Sequence, residues 1–148
     1  MPNALTESFR SSHHLLLESI DQVYQVIRSY PQAKPRLREL GKVILVHLGR
    51  QNKTMLDRLV AHHQANRPTS KILEFLIHNL KDIKVKYLLF FDQHSGEPGD
   101  VNARNFSRDF QEFAGELINR IKMEEEYLFP LLEDLPAEHV NQVQEFEN

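Results

Sequence analysis

Apolar residues recur every three or four positions over long stretches of this chain, the spacing that lines one face of an α-helix, and no useful length shows the alternation of a half-buried strand. Glycine and proline fall between these stretches and divide them. A first helix is predicted from about Thr6 to Ser29, stopped by Tyr30-Pro31. Pro35 suits the first turn of a second helix that continues to about His63, before the break at Asn66-Arg67-Pro68. Thr69 or Ser70 can cap a third helix reaching about Gln93. Ser95-Gly96-Glu97-Pro98-Gly99-Asp100 is the clearest loop, and a fourth helix follows from near Asp100 or Asn102 to about Pro130, where Phe129-Pro130 bends or ends it. Beyond Leu135-Pro136, Val140, Val143 and Phe146 at helical spacing predict a short packing helix.

The expected fold class is therefore all-α: an antiparallel, up-down-up-down four-helix bundle with a short C-terminal helix, since short connections favour antiparallel neighbours. At 148 residues the chain is expected to form one domain, 1–148, around one sizeable core.

A helix turns about 100° per residue, so each apolar stripe can be projected and the polar residues inside it identified. In the first helix Phe9, Leu16, Ile20, Val23, Tyr24 and Ile27 set the stripe; His13 falls inside it and His14 outside. In the second, Leu37, Leu40, Ile44, Leu48, Met55 and Leu59 set it, with His47 and Gln51 one turn apart within it. In the fourth, Phe106, Phe110, Phe113, Leu117, Ile121, Leu128 and Leu131 set it, and it contains Arg120 and Glu124, again one turn apart. The third helix, with Leu76, Leu80, Ile83, Tyr87 and Phe91, turns no histidine inward, and His78 projects roughly opposite its stripe. Five polar residues thus point inward from apolar faces. Buried polar groups are costly unless they satisfy one another, so His13, His47, Gln51, Arg120 and Glu124 are expected to cluster.

Composition narrows the chemistry. Hydrophobic residues at 41% and charged residues at 26% exclude a wholly disordered chain. A net charge of -3 offers no global attraction to nucleic acid or to an anionic membrane. The absence of cysteine excludes disulfides, thiolate nucleophiles, iron–sulfur clusters and Cys-based zinc sites, so any metal would have to bind His and carboxylates. No secretory signal and no apolar run of membrane-spanning length is present, which makes the cytoplasm the expected location. A P-loop, a G-x-S-x-G elbow and an H-E-x-x-H pair are all missing, and no enzyme activity is expected.

The stretch FAGELINRIKMEEEYLFPLL resembles the second half of the hemerythrin-like (HHE) pattern, F-x-x-x-L-x-x-H-I-x-x-E-E-x-x-L-F-P-x-L, through Phe113, Leu117, Ile121, Glu124, Glu125, Leu128, Phe129, Pro130 and Leu132. Arg120 stands where that pattern has histidine. SSHHLLLESIDQVYQVI is similar to the opening of the first half, and VHLGRQNKTMLDRL to its H-x-x-x-E turn, with His47 kept and Gln51 in place of the carboxylate. The resemblance implies a helical bundle whose inward ligands hold a non-haem di-iron centre, with His13, His47 and Glu124 retained as metal ligands. Gln51 and Arg120 depart from it. Glutamine is a weak neutral ligand, and a guanidinium cannot coordinate a metal and would repel a dication about 5–6 Å away. The same arginine can neutralise Glu124 and hydrogen-bond to Gln51, turning a metal-centred network into a charge-pair network. The last helix is also similar to that of bacterial sigma-factor regulators of the regulator-of-sigma-D type, in which an arginine precedes acidic residues by four positions, as Arg120 precedes Glu124.

The remaining candidates have plainer readings. Glu74, His78 and Asp82 are spaced as a ligand ladder but read as a solvent-facing stripe. His62 and His63 suit a helix C-terminus, and His94 and His139 stand alone near loops. Arg38, Lys42, Arg50 and Lys53 share an outer face that is solvated or meets an acidic partner. The leading expectation is a non-enzymatic, hemerythrin-like regulatory or protein-binding domain with a degenerate site, no cofactor, and a protein partner connected with transcription. The alternative is a non-haem iron protein that senses or carries dioxygen or nitric oxide.

Overall fold

The computed structural model describes residues 3–94 and 100–136, with side chains for 3–94 and 105–136. Among the described residues all regular structure is helical, and no helix is long and apolar enough to cross a membrane. The elements are α1 (Ala4–Tyr24), α2 (Tyr30–Arg50), α3 (Lys53–His63), α4 (Arg67–His94), α5 (Asp100–Met123), a π-helical turn (Glu124–Leu128) and α6 (Phe129–Glu133). The expected short helix with Val140, Val143 and Phe146, together with His139, lies outside the described residues.

Local chemistry explains where these boundaries depart from the expected ones. Asn3 starts α1 earlier than Thr6: its side-chain oxygen accepts from the Thr6 amide at 2.8 Å, and its amide nitrogen donates to the Leu132 carbonyl at 2.8 Å. That second bond ties the start of α1 to the end of α6. α1 stops at Tyr24 rather than Ser29, giving way to turns in which Val26 and Ile27 donate to carbonyls three residues back. α2 begins at Tyr30, because Pro31 fits the first turn, and it tolerates Pro35 one turn further in. Asn66, rather than Thr69 or Ser70, caps α4 by accepting from the Thr69 amide at 3.1 Å.

The expected second helix is two helices. Asn52 takes an extended conformation and its side chain accepts from the Met55 amide at 2.9 Å, opening α3. Gly49 just upstream weakens the helical alternative, so the N-cap prevails. Gln51 is left in the break. The fourth helix likewise passes Pro130 instead of ending there. Pro130 has no amide hydrogen, and its ring would strike the carbonyl four residues back; the wider turn of Glu124–Leu128, closed by Phe129 N–H to Glu124 C=O, accommodates it. The extra residue in this turn brings Phe129 round to the face of Glu124, so Phe129 is buried along with Leu128, Leu131 and Leu132.

The expected stripes pack as two apolar clusters, with the half-buried Leu56 packed against both. One unites Leu16, Ile20, Leu40, Ile44, Leu80, Ile83, Phe110 and Leu117 with their neighbours; the other unites Leu5, Phe9, Met55, Leu59, Leu73, Leu76, Leu128 and Leu132. Tyr24, 38% exposed, and the half-buried Phe91 sit at the margins of their stripes. The change from one cluster to the other falls between Phe9 and Leu16 in α1, across the α2–α3 break between Leu48 and Met55, between Leu76 and Leu80 in α4, and between Ile121 of α5 and Leu128 of the π-helical turn. The inward polar residues occupy this gap.

Candidate functional site

His13 comes from α1, His47 from the last turn of α2, Gln51 from the break after it, Arg120 from the end of α5 and Glu124 from the start of the π-helical turn. All five are at most 2% exposed. They meet around one carboxylate. Oε1 of Glu124 lies 2.7 Å from His13 Nε2 and 2.8 Å from His47 Nε2. Its Oε2 accepts from Gln51 Nε2 at 2.8 Å and from Arg120 Nε at 2.8 Å. Arg120 closes the ring through Nη2, which donates to Gln51 Oε1 at 2.6 Å. Its Nη1 donates to the Leu76 carbonyl at 2.7 Å and to Asn79 Oδ1 at 3.1 Å, so α4 joins the layer without supplying a histidine.

The hydrogen-bond pattern assigns the protons. For both imidazoles to bond the same carboxylate oxygen, each must carry hydrogen on Nε2. The neutral tautomer of His47 then has a lone pair on Nδ1, which accepts from the buried Ser12 hydroxyl at 2.7 Å. The Arg120 cation, 2.8 Å away, balances the Glu124 anion. Burial alone would push the Glu124 carboxyl up. Hydrogen bonds from His13 and His47, with the electrostatic pull of His47 and Arg120, outweigh that and hold it far below the ordinary carboxylate range. His13 is further held by stacking on Phe129, with ring centroids 5.2 Å apart, and its Nδ1 lies 3.5 Å from the half-exposed Glu125 carboxylate.

The donor set decides which metal centre could fit. His13, His47 and Glu124 offer three ligand atoms within 4.8 Å of one another, a buried group able to hold one ion. A di-iron centre does not fit. The second carboxylate oxygen is taken by Arg120 and Gln51, the Gln51 oxygen is itself taken by Arg120, and the guanidinium places a fixed positive charge against the one carboxylate of the group.

Other candidates fall out differently. His14 and His78 are exposed, and His78 is 4.0 Å from Asp82 at the surface. Arg50 turns back to the Ser8 carbonyl at 3.0 Å, and Lys53 belongs to α3, so the expected four-residue cationic face is not continuous. His63 is more than a helix-end charge: its Nε2 lies 3.3 Å from the Leu131 carbonyl of α6. His94 is not alone. It is fully buried between Phe90 and Phe106, with Nε2 3.0 Å from Asp109 Oδ2, while its carbonyl accepts from the Tyr30 hydroxyl at 2.6 Å.

Ser12, Asn79 and Phe129 belong to the layer and were not foreseen as members. Ser12 had a signal, since it continues the inward series Leu5, Phe9, Ser12, Leu16, Ser19, Val23, all buried. Phe129 had none in the helical projection, because its burial follows from the π-helical turn. Comparison with known proteins finds no matching family model, no matching curated protein and no matching solved structure.

Proposed function

We propose that this chain is a non-enzymatic regulatory or protein-binding domain of the hemerythrin-like type, in which an arginine-centred polar layer stands where iron would be held. In this reading the long helices form an antiparallel, up-down-up-down four-helix bundle working in the cytoplasm without a cofactor. It acts by contact with a protein partner, and the likeness to sigma-factor regulators points to transcription. The observation that carries the reading is Arg120, whose three guanidinium nitrogens bond Glu124, Gln51, Asn79 and the Leu76 carbonyl inside the bundle. A cation fixed there satisfies the residues that would otherwise converge on metal. The carboxylate it neutralises is too weak a base, and too deeply buried, to serve as a general base near neutral pH.

A second reading is kept by one observation, the convergence of His13, His47 and Glu124 on a point where a single ion could sit. On that reading the protein binds non-haem iron and senses or carries dioxygen or nitric oxide. Elemental analysis and an absorption spectrum of protein from iron-supplied cells separate the two. The first expects iron far below one equivalent; one tightly held equivalent with a charge-transfer band would replace it by the second.

A further inference from the structure

Val85, Leu88 and Leu89 are 55%, 64% and 66% exposed and form one apolar strip on the outer face of α4. The grooves on either side of this strip have opposite charge. On the α2 side the groove is lined by Leu45, Leu48, Gly49, Lys84, Tyr87 and Leu88. Lys42 and Arg38 stand on the same outer face of α2 as Leu45 and Gly49, and both are exposed, Lys42 lying 3.1 Å from the exposed Glu39 so that Arg38 and Lys84 leave the flank net positive. On the α5 side Leu89, Phe90 and Phe113 floor a groove bordered by Asp109, Glu112 and Glu116. Its one lining cation, Lys86, is held by Glu116 at 3.0 Å.

We propose that this face binds a second copy of the chain, with the two α4 helices side by side and parallel about a two-fold axis along their length. Symmetry selects the arrangement. A two-fold along the helix axis sets the basic flank of each copy against the acidic flank of the other, whereas an antiparallel pair would set like against like. The levels agree as well. Glu116 is level with Lys86, and Asp109 with His94, so Glu112 stands near Leu89 and Phe90. On the other flank the Tyr87 hydroxyl reaches the Gly41 carbonyl, and the Gly41 α-carbon faces the Phe91 ring, so Lys42 stands near Phe90. Lys42 of one copy therefore meets Glu112 of the other at one level, and Lys84 meets Glu116 within about 3 Å of helix rise. The strip of Val85, Leu88 and Leu89 closes on its own symmetry mate between these charge pairs. The inference rests on the outer surface alone and is independent of the buried layer.

Sedimentation velocity of the full chain tests it. Wild type self-associates to a dimer that loosens with added salt. The reversals Lys42→Glu with Lys84→Glu, and separately Glu112→Lys with Glu116→Lys, each weaken self-association about tenfold or more. Mixing the two variants restores the dimer, because every cross-pair is then opposite in charge. All four side chains are exposed, melts of both variants check the fold, and Leu88→Gln weakens association without touching charge. A wild type that stays monomeric at high concentration overturns the proposal. So does a reversed variant that associates like wild type, or a mixture that fails to recover; association only with an acidic helical peptide would assign the basic groove to another partner.

Discussion

Replacing Arg120 by methionine removes the guanidinium while keeping most of the side-chain volume, so the loss is electrostatic rather than a cavity. Glu124 would keep three of its four donors, from His13, His47 and Gln51, but lose its counter-charge at a position of 0% exposure. Gln51 Oε1 would also lose its donor. Leaving a buried charge uncompensated costs about 3–5 kcal/mol, which for a chain of this size lowers Tm on the order of 10 °C. Glu124→Gln alone strands the opposite charge and costs a similar amount. The double variant strands neither, so its loss falls short of the sum by about 2 kcal/mol. Urea unfolding of the four proteins, read from midpoints at constant m, measures this cycle. A cost below about 1 kcal/mol for Arg120→Met, or additivity of the two changes, would show that the layer is not held by this pair.

Three further outcomes follow from the same geometry. The folded carboxyl of Glu124 is held below its ordinary value of 4.5, so its contribution to stability is complete above that pH and declines as pH falls beneath it; Glu124→Gln should flatten the acid limb of stability against pH by up to about 1.4 kcal/mol per unit. Long-range nitrogen-15 NMR should find His47 protonated on Nε2 and unprotonated on Nδ1, and Ser12→Ala should cost about 1 kcal/mol; a proton on Nδ1 with none on Nε2 would contradict the assigned tautomer. Arg120→His with Gln51→Glu should raise affinity for ferrous iron, seen as a larger thermal shift under anaerobic conditions, because it adds two ligands and removes a fixed cation. A wild type already stabilised by one equivalent of iron, with no gain in the double variant, would count against the degenerate-site reading.

Helical class and the inward orientation of His13, His47, Arg120 and Glu124 were legible from period alone, because a 3.6-residue repeat sets the angle of each side chain about its own axis. Angle says nothing of height or of which atoms meet. Gln51 shows the limit: it lies in the layer as projected, but in a break made by Asn52 and Gly49 rather than on a continuing helix. Phe129 shows it again, since the π-helical turn that brings it onto His13 shifts the phase on which any projection depends. His94 looked solitary because Asp109 stands 15 residues further on in a separate helix, and such a pair becomes visible only when α4 and α5 have docked. The choice of one carboxylate to receive four donors was likewise made by packing. The sequence could bring five polar groups inward, but only the relative heights of separate helices determine which oxygen each proton finds.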